Sequence, residues 1–324
     1  MQAIEKLQEI AIETIENQNY LSEPKSLYEP IGYAMSQGGK RIRPLLTLMA
    51  ADLFSGDIEK AKPSAIAIEI LHNFTLLHDD IMDKSPIRRG MPTVYKKYDE
   101  NTAILSGDTM FAQAFLFLVK SDKNQIPALV QTLTKASIEV CEGQAYDMDF
   151  ETRNDVKIEE YIKMITLKTG VLLASALKLG AITANASQKD IDYLYDFGIN
   201  IGIAFQLQDD ILDCWSNLED FGKVTGTDIA DNKKTFLYLK SLELANKEQK
   251  EVLLNYFCST IFDKDGKEKA VKEIYEELNL KAIAKKLMEQ YNDKAMDSLE
   301  KIGVDNLRKT NLINFANILM HRNK

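Results

Sequence analysis

The sequence predicts an all-α protein. Gly 15 and Pro 7 are few for a chain of 324 residues. The apolar segments are long and follow helical rather than alternating spacing, which argues against many short strands. A hydrophobic content of 45% is ample for a core. The net charge of -9 argues against nucleic acid as a partner, and it makes local clusters of Lys and Arg more informative. No low-complexity linker or change of composition divides the chain, so residues 1–324 read as one domain.

Taken in order, Ile4, Leu7, Ala11 and Ile15 give helical spacing over residues 1–18. Glutamates run through this stretch, so it reads as an amphipathic packing helix and not a secretory signal. A second helix over Leu27–Ser36 ends at Gly38-Gly39. The motif GGKRIRP then brings Lys40, Arg41 and Arg43 together, with Pro44 opening the next helix, where a missing N–H costs nothing. A Gly-Gly turn lets backbone N–H groups approach an anion, and the cations beside it suit phosphate oxygens. The loop lacks the upstream glycine and following Ser or Thr of a P-loop; a solvated basic loop fits these residues as well.

Gly56 and Pro63 mark the next break. An apolar helix from Ala65 to Leu77 then runs into HNFTLLHDDIMDKSPIRRG, His72 to Gly90. With about 100° and 1.5 Å per residue, Asp79 and Asp83 lie about 40° apart on one face, and His72 about 20° from it. Mg²⁺ takes one or two carboxylates, keeps several waters and accepts substrate phosphates. Paired aspartates with Asp80 between them and Arg88 and Arg89 on the following loop therefore suit a metal and an anion together; ordinary solvent-facing charge is the alternative. The motif recurs: FQLQDDILD places Asp209, Asp210 and Asp213 at the end of another apolar segment, with Gln206 and Phe205 about 60° and 40° to either side of Asp209. Two such clusters on separate helices can face one another across a cavity and hold metal ions between them.

Between the motifs, Asn101 is the expected N-cap of TAILSGDTMFAQAFLFLV. Its apolar residues nearly encircle it, so the helix should be largely buried, with Gly107 a close packing point. Helix 126–150 ends with Gln144 and Asp147 three apart, either lining the same cavity or simply polar at a helix end. Helix 158–180 carries Lys168 and Thr169 in an apolar run. A buried unpaired ammonium is expensive, so Lys168 must snorkel outward or meet an anion, and the anion is preferred. Residues 215–232 are rich in turn signals; with Lys223, Lys233 and Lys234 nearby they suit a mobile flap over a charged ligand.

Phe236 to Lys324 reads as amphipathic helices. DKDGKE, Asp263 to Glu268, lacks a calcium loop's third ligand and distal Glu, and reads as a turn before a helix. Cys141, Cys214 and Cys258 show no metal spacing and fit incidental thiols in a reducing cytoplasm. No uncharged apolar run reaches about 18 residues, so no membrane span is expected.

The ordered set GGKRIRP, HNFTLLHDDIMD, RRG, LSGD, GQ with an Asp, KT, FQLQDDILD and GK…GTD…NKKT resembles the trans-isoprenyl diphosphate synthases, the polyprenyl synthetase family, over essentially the whole chain. The resemblance implies a single isoprenoid synthase helical bundle around a central cavity, forming a homodimer, with both Asp motifs at the mouth. It implies three Mg²⁺ ions joining Asp79, Asp83 and Asp209 to an allylic diphosphate, with Asp80, Asp210 and Asp213 in support. Arg88, Lys168, Thr169, Gln206, Lys223 and Lys233 match positions that hold that diphosphate or sit beside the carbocation. Gly39, Lys40, Arg43, His72 and Arg89 match the isopentenyl diphosphate site. The reaction implied is head-to-tail condensation of isopentenyl diphosphate with dimethylallyl, geranyl or farnesyl diphosphate.

Phe74 matches an aromatic position that in the family can floor the product tunnel. With Thr75 small, the pattern resembles geranylgeranyl (C20) more than farnesyl (C15) diphosphate synthases. An ideal helix puts Phe74 about 140° from Asp79, so that role rests on the resemblance, and a longer product follows if Phe74 points elsewhere. The rivals are a class I terpene cyclase, which normally lacks a second DDxxD and the isopentenyl diphosphate contacts, and a non-catalytic synthase subunit, which usually loses aspartates. The intact DDILD and GGKRIRP weigh against both.

Overall fold

The computed structural model describes residues 2–216, 225–258 and 263–321. In chain order the helices are α1 Ile4–Glu16, α2 Lys25–Ser36, α3 Ile42–Leu53, α4 Ile58–Met82, α5 Val94–Lys97, α6 Glu100–Leu118, α7 Ile126–Thr152, α8 Ile158–Ile165, α9 Val171–Thr183, α10 Gln188–Trp215, α11 Thr227–Ala230, α12 Phe236–Leu244, α13 Lys247–Cys258, α14 Lys264–Glu277, α15 Leu280–Glu300 and α16 Asn306–His321. Among the described residues the strands amount to one antiparallel hairpin, β1 Ile87–Arg88 with β2 Met91–Pro92. The all-α expectation holds.

The chain divides into two compact units. The first contains residues up to Ile138 with Leu172–Asp196 and Leu299–Leu312. Its central element is α4, which packs most extensively on α6 and then α3. Ala65 through Leu71 are buried in succession, so α4 is enclosed on every side, as its lack of amphipathic patterning requires. Asp57 caps it, its Oδ1 accepting from the Glu59 N–H at 3.0 Å. Pro63 lies inside α4 and does not mark a break: so near the helix start it forfeits a single ladder bond. Pro44 likewise is the third residue of α3, not the first.

Two expectations for α6 are corrected. The cap is Asp99, which accepts from the Thr102 N–H at 2.9 Å and the Thr102 hydroxyl at 2.6 Å, so the helix begins before Asn101. It is also not largely buried: Leu105 is 58% and Leu116 62% exposed, with Ile104, Phe111 and Val119 exposed beside them. Gly107 is the expected close contact, since a Cβ there would stand 2.4 Å from His78 Nε2.

The second unit contains Glu139–Val171, Phe197–Ser298 and the chain from Ile313 on. Between α8 and α9 the expected single helix is interrupted by a π-helical turn, Thr166–Gly170, which carries Lys168 and Thr169; such turns are frequent at functional sites. Among the described residues Ile158–Thr183 is long and apolar enough to cross a membrane, against the expectation of no such run, and 72% of its apolar window is buried inside the protein. DKDGKE is not a turn before a helix but the first turn itself: Asp263 caps α14 by accepting from the Gly266 N–H at 3.1 Å. Cys141 is exposed and Cys214 buried, both as free thiols.

Candidate active site

In the first unit the GGKRIRP loop is anchored from beneath. Arg41 is buried with left-handed backbone, φ 45°. Its guanidinium donates to Glu69 Oε1 at 2.6 Å and to the Met35 carbonyl at 2.5 Å. Asn73 Nδ2 donates in turn to the Glu69 carbonyl at 2.8 Å. Arg41 thus points inward and serves the fold of the loop, which leaves Lys40 and Arg43 as its candidate anion contacts. Gly39 has φ 113°, and a Cβ there would meet the Arg89 guanidinium at 2.7 Å; only glycine permits both. Arg89 donates to the Gly38 carbonyl.

His72 lies among Arg43, Arg89, Arg88 and Arg41; burial, then their positive charge, holds its pKa well below the usual histidine range. Burial lowers Arg43 to about 10, opposed by Glu69, and Arg43 Nε is buried with no hydrogen-bond partner among the described residues. A buried guanidinium N–H without an acceptor, with Arg89 nearby, is what an anion would satisfy. The structure therefore brings Gly39, Arg43, His72 and Arg89 together as one positive recess, with Lys40 exposed on the same loop.

Arg88 connects this recess to the first aspartate cluster. Its Nε donates to Asp80 Oδ1 at 2.7 Å and its Nη2 to Asp79 Oδ2 at 3.2 Å. Burial pushes Asp80 up to about 6 even with Arg88 beside it. Asp83 is the exposed C-cap of α4, its N–H returning to the Asp79 carbonyl. Phe74 packs edge-on to His78, centroids 4.8 Å apart, and at a tilt to Phe111, 5.4 Å apart.

In the second unit a cavity of about 130 Å³ is lined by Asp147, Tyr161, Lys168, Thr169, Gln206 and Lys233, among others. Gly143 lets α7 press onto the π turn, since a Cβ would stand 2.4 Å from the Lys168 backbone N. That approach delivers Lys168 Nζ to Asp147 Oδ2 at 2.7 Å, with Lys233 Nζ 3.5 Å from the same oxygen. Burial would raise Asp147, but the two ammoniums outweigh it and hold the carboxyl below its ordinary value. Lys168 has met the anion expected of it, and that anion belongs to the protein. Thr169 Oγ1 donates to Gln206 Oε1 at 3.2 Å and Gln206 Nε2 to Asp210 Oδ1 at 3.1 Å. Tyr161 donates to the other Asp210 oxygen. Burial pushes Asp210 up to about 7, with Tyr161 and Gln206 opposing.

Asp213 serves the fold, accepting from Thr227 Oγ1 at 2.7 Å and from the Asp228 N–H at 3.0 Å. Asp209 lies partly exposed on α10. Residues 217–224 of the expected flap, Lys223 among them, lie outside the described residues. Sequence reasoning took in Asp228 only within the GTD motif and did not single out Tyr161 or Glu69: the partners of these two lie 49 and 28 residues away, and nothing in the local pattern marks them. The spacing of Asp147 did point to it.

The aspartates offer hard oxygen donors of the kind Mg²⁺ prefers. Asp79 and Asp83 share the end of α4, while Asp210, Asp213 and Asp228 crowd one recess of the second unit, where added positive charge would be stabilised. Among the described residues no three His, Cys, Asp or Glu side chains converge on one point as they stand. A cation held here would draw the rest of its shell from phosphate and water.

The sequence profile of the polyprenyl synthetase family matches residues 24–278. Over 280 residues, 85% of this chain and 84% of the relative, the protein is 40% identical to a geranylgeranyl diphosphate synthase from Sulfolobus acidocaldarius. A geranylfarnesyl diphosphate synthase from Natronomonas pharaonis is 38% identical over 256 residues, 73% of this chain and 75% of that one. A crystal structure of a geranylgeranyl pyrophosphate synthase superposes with a TM-score of 0.95 at 42% identity, covering 99% of both chains.

Proposed function

The chain belongs to the polyprenyl synthetase family and is a trans-prenyltransferase, and on that premise we propose that it condenses isopentenyl diphosphate head-to-tail with an allylic diphosphate to give all-trans geranylgeranyl diphosphate. The observation that carries this reading is that each unit sets a DDxxD cluster beside cationic side chains: Arg88 on Asp79 and Asp80 in one, Lys168 and Lys233 beside Asp210 in the other. We take the chain as one synthase domain over residues 1–324, acting in the cytoplasm.

Asp79, Asp83 and Asp209 would hold Mg²⁺, three ions by family resemblance, with Asp80, Asp210 and Asp213 in support. Bound Mg²⁺ supplies charge neutralisation of the leaving diphosphate. Lys168, Lys233 and Arg88 bind the oxygens of that diphosphate, Lys223 joining them by resemblance, and stabilise its negative charge as the C–O bond breaks. The Thr169 hydroxyl and Gln206 amide turn dipoles toward the allylic cation. Gly39, Lys40, Arg43, His72 and Arg89 orient isopentenyl diphosphate so that its double bond attacks the cation. The proton lost from the adduct passes to the departing diphosphate.

The deciding experiment is product chain length from farnesyl and isopentenyl diphosphates with Mg²⁺, in the wild type and in Phe74→Ala. Removing a ring wedged between His78 and Phe111 leaves a cavity beside α6, so a C20 product that lengthens in the variant is expected. Consumption of the allylic substrate without need for isopentenyl diphosphate would instead indicate a cyclase. A wild-type product well beyond C20, unchanged by the mutation, would remove Phe74 from the tunnel floor.

We also propose a homodimer joined through α6, whose exposed residues Ile104, Leu105, Phe111, Leu116 and Val119 fall within one broad sector of the helical wheel. Monomers rarely expose contiguous apolar patches larger than a few hundred Å². Leu105→Glu combined with Leu116→Glu is expected to yield monomers in sedimentation analysis, with the helical signal retained because both residues face outward. A dimer that survives both charges would place the interface elsewhere.

A further inference from the structure

We propose that Lys267 is a positioning residue for the cationic edge of the second unit's cavity, holding Asn232 and, through it, Lys233. The inference deepens the reading of Lys233 as a diphosphate ligand and rests on it. Lys267 is fully buried, 0% exposed, a rare state for lysine. From the first turn of α14 its ammonium donates to Asn232 Oδ1 at 2.6 Å and to the Ala230 carbonyl at 3.4 Å. It also lies over the Phe257 ring, 4.8 Å from the centroid, a contact that favours a desolvated cation.

The segment it grips bears directly on the cavity. Asn232 has left-handed backbone, φ 59°, a conformation asparagine tolerates and most residues resist. The next residue is Lys233, whose N–H donates to the Asp228 carbonyl at 2.9 Å and whose ammonium stands 3.5 Å from Asp147. Helix α14 meets the same segment again at Gly226, where a Cβ would be 2.4 Å from the Glu268 carboxylate carbon, itself paired with Lys272 at 2.6 Å. Packing alone does not call for a lysine here, because an unbranched apolar side chain of similar length fills the same space. Methionine would fill the space of Lys267 but could not hold the Asn232 side chain.

The test uses the full-length enzyme with Lys267→Met and, separately, Asn232→Gly, which removes the acceptor while tolerating the positive φ. Loss of a charge-assisted hydrogen bond should raise KM for the allylic diphosphate about tenfold in each. KM for isopentenyl diphosphate should stay within about twofold, while the Lys267→Met melting temperature should fall by about 5 °C, because Asn232 Oδ1 and the Ala230 carbonyl lose their buried donor. Backbone amides over residues 225–235 should exchange faster in both variants, a readout that requires no catalysis. In a Lys233→Ala background Lys267→Met should have no further effect on allylic KM, because coupled residues are non-additive. Unchanged exchange, an equal rise in both KM values, or an additive double mutant would each overturn the proposal. If Lys267→Met fails to fold, Asn232→Gly decides it. Wild-type turnover with both substrates tests the underlying reading separately.

Discussion

Replacing Asp79 with asparagine is expected to lower Mg²⁺-dependent diphosphate release by about a thousandfold, the scale of losing a group aimed at charge that develops in the transition state. The variant should melt within about 1 kcal/mol of wild type, since the carboxylate lost to Arg88 belongs to a pair only partly removed from solvent, 25% and 19% exposed. Asp213→Asn, one member of the other motif, supplies the contrast. Its oxygens receive Thr227 Oγ1 and the Asp228 N–H, and an amide nitrogen facing those donors should cost about 1–3 kcal/mol. Stability measured beside steady-state rates separates the two. Asp79→Asn activity within tenfold of wild type would remove Asp79 from the metal set.

The largest effect on stability is expected at Glu69. Glu69→Leu leaves the Arg41 guanidinium buried without its carboxylate, and uncompensated charges of this kind cost about 3–5 kcal/mol. The side chains of the pair are 4% and 3% exposed, so solvent cannot repair the loss. Calorimetry should show a melting temperature lower by on the order of 10 °C. Arg41→Met in the same chain should recover much of that, because the double replacement removes both charges together. Should the single variant melt like wild type, the buried pair does not hold the GGKRIRP loop as described.

Much of the site is legible in the residues because its chemistry is crowded into short motifs. DDIMD and DDILD declare themselves by carboxylate spacing alone, and Lys168 by the cost of an ammonium in an apolar run. The fold class is legible for a similar reason, in that few glycines and prolines with long periodic segments leave helices as the consistent choice. Helix ends are less so. Asp99 and Asn101 are both good caps by type, and the choice fell to the one whose side chain reaches Thr102.

Consecutive, chemically identical residues show the boundary most clearly. Residue type and spacing do not separate Lys233 from Lys234 in NKKT; the family resemblance alone favours Lys233. In the structure both border the cavity, but Lys233 reaches Asp147 at 3.5 Å, whereas Lys234 is buried near Tyr238 and Phe257, 5.1 and 5.4 Å from their ring centroids. Arg41 and Arg43 divide in the same way, one toward Glu69 and the other toward His72. The apolar circumference of α6 did not reveal that Leu105 and Leu116 would stand exposed.

By itself the sequence determined the helical class, the two aspartate motifs and the set of cations available to an anion, because residue type and local spacing decide those. Tertiary structure alone decided which of those cations turn to a buried partner within the protein, as Arg41 does to Glu69, and that Tyr161 and Lys267 meet Asp210 and Asn232. Those outcomes depend on burial and on partners brought close from 28 to 49 residues away. The free energy of a buried charge is set by the particular neighbours that surround it, and no local pattern encodes them.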